Sequence, residues 1–280
     1  MSVRAPLDDA HLFAAFRVLF GAYLTFYSLE MLPHAWEVFS REGMLPEPSH
    51  SPIATWFPRA ALDLAPSTVR LLGIARVTLA ASVGVGLLRR PAAAALWLLY
   101  AWEHQRNGFV TSPEYGYVGW LLLLLVFVPT GEPWAAARRD PSWSLPRFLR
   151  GAAWLVLGVS YTYSGLSKLG TPAWLDGTAT RDALAQESVS RAWFFARRDG
   201  VPGTVYALMT WGSLATELFG VLWILPRRVR AVFWAASMGM HLGILATMTI
   251  PEVSLGMILF HVLLFEPRWG TRAFWRSSAP

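Results

Sequence analysis

Apolar residues gather into eight runs, near residues 10–32, 67–88, 92–110, 115–129, 149–169, 203–225, 229–250 and 253–266. A bilayer core of roughly 30 Å takes about 20 mostly apolar residues per helix. Irregular backbone cannot face lipid, because its N–H and C=O groups find no water there. The pattern therefore predicts an all-α protein, a polytopic membrane helical bundle in one domain over residues 1–280, with about eight transmembrane helices. The fourth and eighth runs are short for a full crossing, so seven spans are the alternative. The first run contains Arg17 and Glu30 and is followed by no small-residue cleavage site, unlike a cleaved signal peptide. No repeat of fixed period is present.

Composition agrees with this reading. Hydrophobic residues make up 54% of the 280 and charged residues only 15%, against about 25% charged in soluble domains. The fifteen Trp suit the bilayer interface. The lipid bilayer is thus the first expected partner, and a multi-pass cell (inner) membrane protein the expected localisation. There is no cysteine, which excludes disulfides, thiolate metal sites and cysteine nucleophiles. The net charge of +6 comes from arginines in short loops rather than a clustered basic face, so no nucleic acid is expected.

The arginines also orient the chain. With the N-terminus cytoplasmic, the inside segments hold thirteen, among them Arg4, Arg138, Arg227, Arg272 and Arg276, against seven outside. Cytoplasmic loops attract this excess, and the expectation is N-in/C-in. The segments 33–66 and 170–202 then lie on the non-cytoplasmic side, and both carry aromatics suited to the headgroup layer.

Polar residues inside the runs gather toward that side. Glu30 and His34 end the first run, Glu103, His104, Arg106 and Asn107 the third, and Lys168 the fifth; Glu217 and His241 lie near mid-span. Ionisable residues in a span are costly and face the protein interior or a cavity. Their convergence suggests a site; buried ion pairs that merely hold helices together are the plainer alternative. Arg17 and Arg76 also fall within spans and are read as structural anchors, with Glu217 one possible partner. His34, His104, His241 and Glu217 stand singly on their helices, so no metal site is expected. No phosphate-cradling or dinucleotide glycine motif occurs, so no nucleotide is expected either.

Lys168 is the sharpest single residue, because it is the only lysine among 24 basic residues. Arginine stays protonated at any useful pH, whereas a buried lysine can serve as a base or nucleophile. A lysine that snorkels to the headgroups is the alternative. Tyr161, Ser164, Gly165 and Lys168 share one helix face, and a polar stripe of this kind should look inward. Ser213, Thr216, Glu217 and Gly220 repeat the design on the sixth run. The expectation is a largely dry pocket with Lys168, Tyr161 and Ser164 on one side, His241 and Glu217 across it, and Trp and Phe on its walls.

At these residues the chain resembles a known family. Phe16-Arg17-Val18-Leu19-Phe20-Gly21 is similar to the opening of the first helix of vitamin K-dependent γ-carboxylase. The stretch YTYSGLSKLGTPAWLDGTA, residues 161–179, resembles the family pattern of an aromatic, a small-Gly pair, Lys-Leu, then Trp and Gly. His241, followed by an apolar tail and a further run, adds to the likeness. Together these look like the bacterial transmembrane relatives of the carboxylase, the HTTM proteins, over residues 11–266. The resemblance implies that Lys168 is the base that deprotonates a reduced quinone of the vitamin K hydroquinone type, in a lumen-facing pocket. Lys168 is the one role the resemblance carries over. The polar residues that converge on the same depth make His241 and Glu217 the other expected catalytic residues, and Tyr161, Ser164, His104, Glu103 and Asn107 the expected pocket residues. RNGFVTSPEYGY occupies the region where the family carries a histidine near its fourth helix, and no counterpart of the family's large extramembrane domain is expected. Two other classes stand beside the lyase or oxidoreductase reading: a non-enzymatic partner for a secreted peptide or small partner protein, and a proton-coupled transporter. The transporter is disfavoured by the lack of inverted repeats.

Overall fold

The computed structural model describes residues 8–47, 56–110, 114–224 and 226–270. Arg4, Arg272 and Arg276 of the charge count lie outside the described residues. Among the described residues the chain is all-helical, with one isolated bridge between Ser190 and Met248 and no strand. The eight apolar runs coincide with α1 (Asp9–Met31), α2 (Pro66–Val85), α3 (Arg89–Arg106), α4 (Glu114–Phe127), α5 (Arg147–Lys168), α6 (Gly203–Leu218), α7 (Arg227–Thr247) and α8 (Pro251–Leu264). The segments between α1 and α2 and between α5 and α6 are not plain loops. They contain short helices, including Ala35–Phe39, Arg59–Leu62, Pro172–Leu175 and Ala179–Leu184.

Three helices, α1, α2 and α7, are long and apolar enough to cross a membrane. On α2 the side chains of Leu71, Ile74 and Val85 are more than half exposed, as are Val232 and Leu242 on α7. Such surface is unfavourable in water but suits a lipid bilayer, whose tails are as apolar as leucine.

The chain divides into two compact units near Leu149, at the start of α5. In the first, α1 lies along α2 at a glycine contact: a Cβ on Gly84 would come within 3.3 Å of the Gly21 Cα. Asp8 caps α1 by accepting from the His11 N–H at 2.9 Å, satisfying a backbone donor that has no partner inside the helix. This bond, with the His11 side chain, holds the Asp8 carboxyl below the usual range. α2 stops at Gly86 (φ +77), where the N–H groups of Gly86 and Leu87 both return to the Ser82 carbonyl. This left-handed stop favours glycine.

In the second unit α5 meets α6 through small residues. A Cβ on Gly165 would lie 2.6 Å from the Leu218 nitrogen, and one on Gly220 would lie 2.8 Å from the Gly158 carbonyl oxygen. Past Leu218 the helix tightens into a 3-10 turn, Phe219–Ile224. There the Val221 N–H leaves its own helix and donates to Thr162 Oγ1 at 2.9 Å. α7 and α8 pack against each other.

Candidate functional site

Lys168 is the last residue of α5, and Glu217 lies one residue before the end of α6. The glycine contact at Gly165, one turn before Lys168, brings the two helix ends together; a Cβ there would also meet the Glu217 carbonyl carbon at 3.0 Å. Lys168 Nζ donates to both carboxylate oxygens of Glu217. The same Nζ sits 4.3 Å from the ring centre of Trp174, a cation–π contact. Trp174 is delivered by the short helix Pro172–Leu175, which follows α5 after a turn closed by the Thr171 N–H on the Lys168 carbonyl.

This ion pair lies on the wall of a cavity of about 560 Å³, a size suited to a small molecule. The remaining wall is mostly apolar, with the hydroxyl residues Thr180, Ser213, Thr216 and Thr247 among its lining. α6 contributes Leu208, Met209 and Gly212, and α7 contributes Gly239, Met240, Gly243 and Ile244. A Cβ built on Gly212, Gly239 or Gly243 meets nothing within 4 Å. These glycines keep space open rather than seat a neighbouring helix. Three methionines, Met209, Met240 and Met248, give the wall an adaptable surface. Ala179, Thr180, Ala183 and Val189 of the segment before α6 close one side. That segment is tied down: the Thr180 N–H donates to Thr210 Oγ1 at 3.0 Å, and the Arg191 N–H to the Thr247 carbonyl at 2.8 Å. The expected aromatic lining is reduced to Trp174, the one aromatic among the lining residues.

His241 and Tyr161 do not line this cavity. Their side chains meet each other, with His241 Nε2 and the Tyr161 hydroxyl 2.7 Å apart. Successive helical residues are turned by about 100°, so Met240 faces the cavity while His241 faces the core. There the ring centres of Tyr161, His241 and His261 stand 6.0 Å from one another. His261 Nδ1 donates to the Met257 carbonyl at 2.7 Å. Tyr161 shares a face with Lys168 but sits two turns away, about 10 Å along the axis. That separates the expected site into a cavity pair and a core cluster. Ser164, partly buried, is also absent from the cavity wall.

The other expected residues belong to the first unit, where Glu103 and Asn107 have local partners. Arg76 donates to both oxygens of Glu103 at 3.0 Å and to the Tyr100 hydroxyl at 2.9 Å. Asn107 donates to the Val38 carbonyl at 3.0 Å, and Arg106 to the Ser40 and Leu45 carbonyls. Gln105 accepts from the backbone of Trp56 and Phe57, and Trp102 donates to the Ala61 carbonyl. The polar end of α3 is thus the tether for the segment between α1 and α2. His104 is half-buried beside it, while Glu30 and His34 are exposed. The cavity next to Arg76 and Glu103 holds only about 10 Å³, room for about one water.

Arg17 finds its carboxylate in Glu132, at 3.1 Å, rather than in Glu217. Arg89 shares the same carboxylate at 3.0 Å. Arg17 also donates to the carbonyls of Val83, Gly84 and Trp134, and Arg89 to those of Leu125, Val128 and Pro129. Two arginines thereby cap the carbonyl ends of α2 and α4, where the helix dipole favours a cation. Glu132 was not singled out from the sequence; its position in a loop between two arginine-bearing segments is the signal that could have found it.

Among the described residues no group of three or more His, Asp or Glu side chains converges as a metal site would require. The chain matches no family model, no curated protein and no solved structure.

Proposed function

We propose that this chain is a multi-pass inner-membrane enzyme that takes a proton from a lipid-soluble, quinol-type acid, with Lys168 as the base. The observation that carries this reading is the Lys168–Glu217 ion pair on the wall of a cavity of about 560 Å³ whose other lining is mostly apolar, with hydroxyls at Thr180, Ser213, Thr216 and Thr247. Beside the buried pair Arg76 and Glu103 the cavity holds only about 10 Å³. At Lys168 and Glu217 a polar head could reach the pair while an apolar body rests on methionine, glycine and aliphatic residues. Lys168 accepts the phenolic proton, and the resulting quinolate is the electron-rich species that reacts with oxygen. The sequence resemblance to the membrane part of vitamin K-dependent γ-carboxylase supports the same assignment.

The proposal includes eight crossings with the start of α1 on the cytoplasmic side, supported by the arginine bias. α4 and α8, each 14 residues and so about 21 Å long, complete their crossings through flanking residues. The absence of cysteine makes this directly measurable. A single cysteine at Arg138 should react with an impermeant thiol reagent only in inside-out vesicles, and one at Arg197 only in right-side-out vesicles. Labelling of both from one side would overturn the topology.

Oxygen consumption by the purified protein with a panel of reduced quinones, compared between wild type and Lys168→Ala, tests the chemistry. The expected result is uptake that requires both the quinol and Lys168. No uptake by a folded preparation overturns the enzymatic reading and assigns the chain to a non-catalytic role with a secreted peptide.

A further inference from the structure

The resting geometry raises a problem for a lysine base. Nζ contacts both oxygens of Glu217 and stands 4.3 Å from the Trp174 ring. Charge-assisted contacts and ring faces hold a cation far better than a neutral amine. Lys168 therefore rests as an ammonium, and an ammonium has no lone pair with which to take a proton. The free lone pairs of the site are on the Glu217 carboxylate. Glu217 is the deeper partner, its side chain 8% exposed against 22% for Lys168, so a head group entering the cavity meets Nζ first.

We propose that Glu217 is the terminal proton acceptor of the site and that Lys168 relays the proton to it. This rests on the reading that the cavity binds a lipid-soluble acid. An N–H bond of Nζ breaks first and an O–H bond forms on a Glu217 oxygen, which leaves a neutral amine with a free lone pair beside a neutral carboxylic acid. That lone pair then forms a new N–H bond as the substrate O–H bond breaks. The start is a neutral acid, an ammonium and a carboxylate; the end is an oxyanion, an ammonium and a neutral carboxylic acid. No electron pair leaves the site and no oxidant is needed for this step.

Charge conservation favours this route. The ammonium has one anionic neighbour before and after, first the carboxylate and then the oxyanion. A neutral Lys168 waiting beside an ionised Glu217 would leave a lone negative charge in a mostly apolar wall, which is strongly unfavourable. The helix contact at Gly165 restrains Glu217 from swinging away, because the α6 backbone at Glu217 and Leu218 is pressed against α5 there. Glu217 thus both holds the relay in place and supplies the vacant acceptor.

The test uses a 2-naphthol bearing an alkyl chain, whose ionised form absorbs at longer wavelength than its neutral form. The full chain, reconstituted in lipid nanodiscs near neutral pH, should bind the probe and show the ionised band. Infrared difference spectra of the wild type should show, on probe binding, the gain of a protonated carboxyl band. Glu217→Gln should still bind the probe but lose the ionised band by tenfold or more, and Glu217→Asp should restore part of it. An undiminished ionised band in Glu217→Gln, or an ionised band in the wild type without the protonated carboxyl signal, overturns the assignment of Glu217 and leaves Lys168 as the terminal acceptor. A wild type that binds no probe, or binds it un-ionised, overturns the proposed function itself. The infrared measurement needs no variant, so a Glu217→Gln protein that fails to fold does not remove the test.

Discussion

The two units treat buried charge in opposite ways. In the first, Arg17, Arg89 and Glu132 are at most 1% exposed, and Arg76 and Glu103 at most 5%. Their partners are backbone carbonyls, the Tyr100 hydroxyl or one another, and the cavity beside Arg76 and Glu103 has room for about a single water. In the second, Lys168 and Glu217 are equally well paired but open onto a cavity more than an order of magnitude larger. Pairing alone therefore does not distinguish an enclosed ion pair from an accessible one. What distinguishes them is whether a third molecule can reach the pair.

The comparison is broken most severely at Glu132. Glu132→Ala leaves Arg17 and Arg89 buried without their counter-charge and should cost about 3–5 kcal/mol, as loss of one partner of a buried pair does. Denaturant or thermal unfolding in detergent measures it, and a loss below about 1 kcal/mol would mean the carbonyls alone suffice. Arg76→Ala should cost a similar amount by taking the guanidinium away from the buried Glu103 carboxylate. The double change Arg76→Met with Glu103→Leu should recover most of that loss, since apolar replacement of a whole buried pair is often neutral. Failure to recover would show that the pair does more than hold α2 to α3.

Glycines sharpen the contrast within the second unit. Gly165→Leu forces a side chain against the α6 backbone and should destabilise by about 1–3 kcal/mol or more, as overpacking does. Gly239→Leu and Gly243→Leu place the same side chain into open cavity. They should leave stability nearly unchanged while reducing uptake of an apolar probe such as an alkyl naphthol. Equal destabilisation at all three positions would show that the cavity collapses in solution. Gly239→Ala should stabilise by about 0.5–1 kcal/mol, because glycine in a helix interior costs about that much relative to alanine.

An effect of similar small size lies at the start of α1. Asp8→Ala removes the cap and should cost about 1 kcal/mol. The Asp8 carboxyl is held below its usual range by the His11 N–H. Its contribution is therefore complete above the ordinary carboxylate range and is lost as pH falls through the lowered value. The difference in stability between wild type and Asp8→Ala should shrink on acidification in that window and stay constant near neutrality.

The sequence made some of this legible. Lys168 stood out as the one lysine, and the small-residue faces of α5 and α6 announced that two backbones would approach. That approach is what joins Lys168 to Glu217. The sequence was silent on which carboxylate belonged to which arginine: Arg17 pairs with Glu132, 115 positions later in the chain, and no local pattern encodes such a meeting. It also placed His241 and Tyr161 in the pocket, because residues that share a face in projection can still lie two turns apart along the axis. Glu103 and Asn107 looked like pocket residues for the same reason that any polar cluster at a helix end does, and the structure pairs Glu103 with the Arg76 guanidinium and Asn107 with the Val38 carbonyl.

Helices follow from local information: each apolar run is long enough to close its own hydrogen bonds, and lipid permits nothing less. The sequence by itself therefore determined the all-helical character, the positions of the helices and the rarity of Lys168. Which charges are shared, and where space is left unfilled, depend on side chains brought together from distant positions. Gly212, Gly239 and Gly243 could have seated a helix, as small residues usually do. Only the tertiary structure decided that they would border a cavity instead, because a void is a property of what fails to meet across it and not of any one segment.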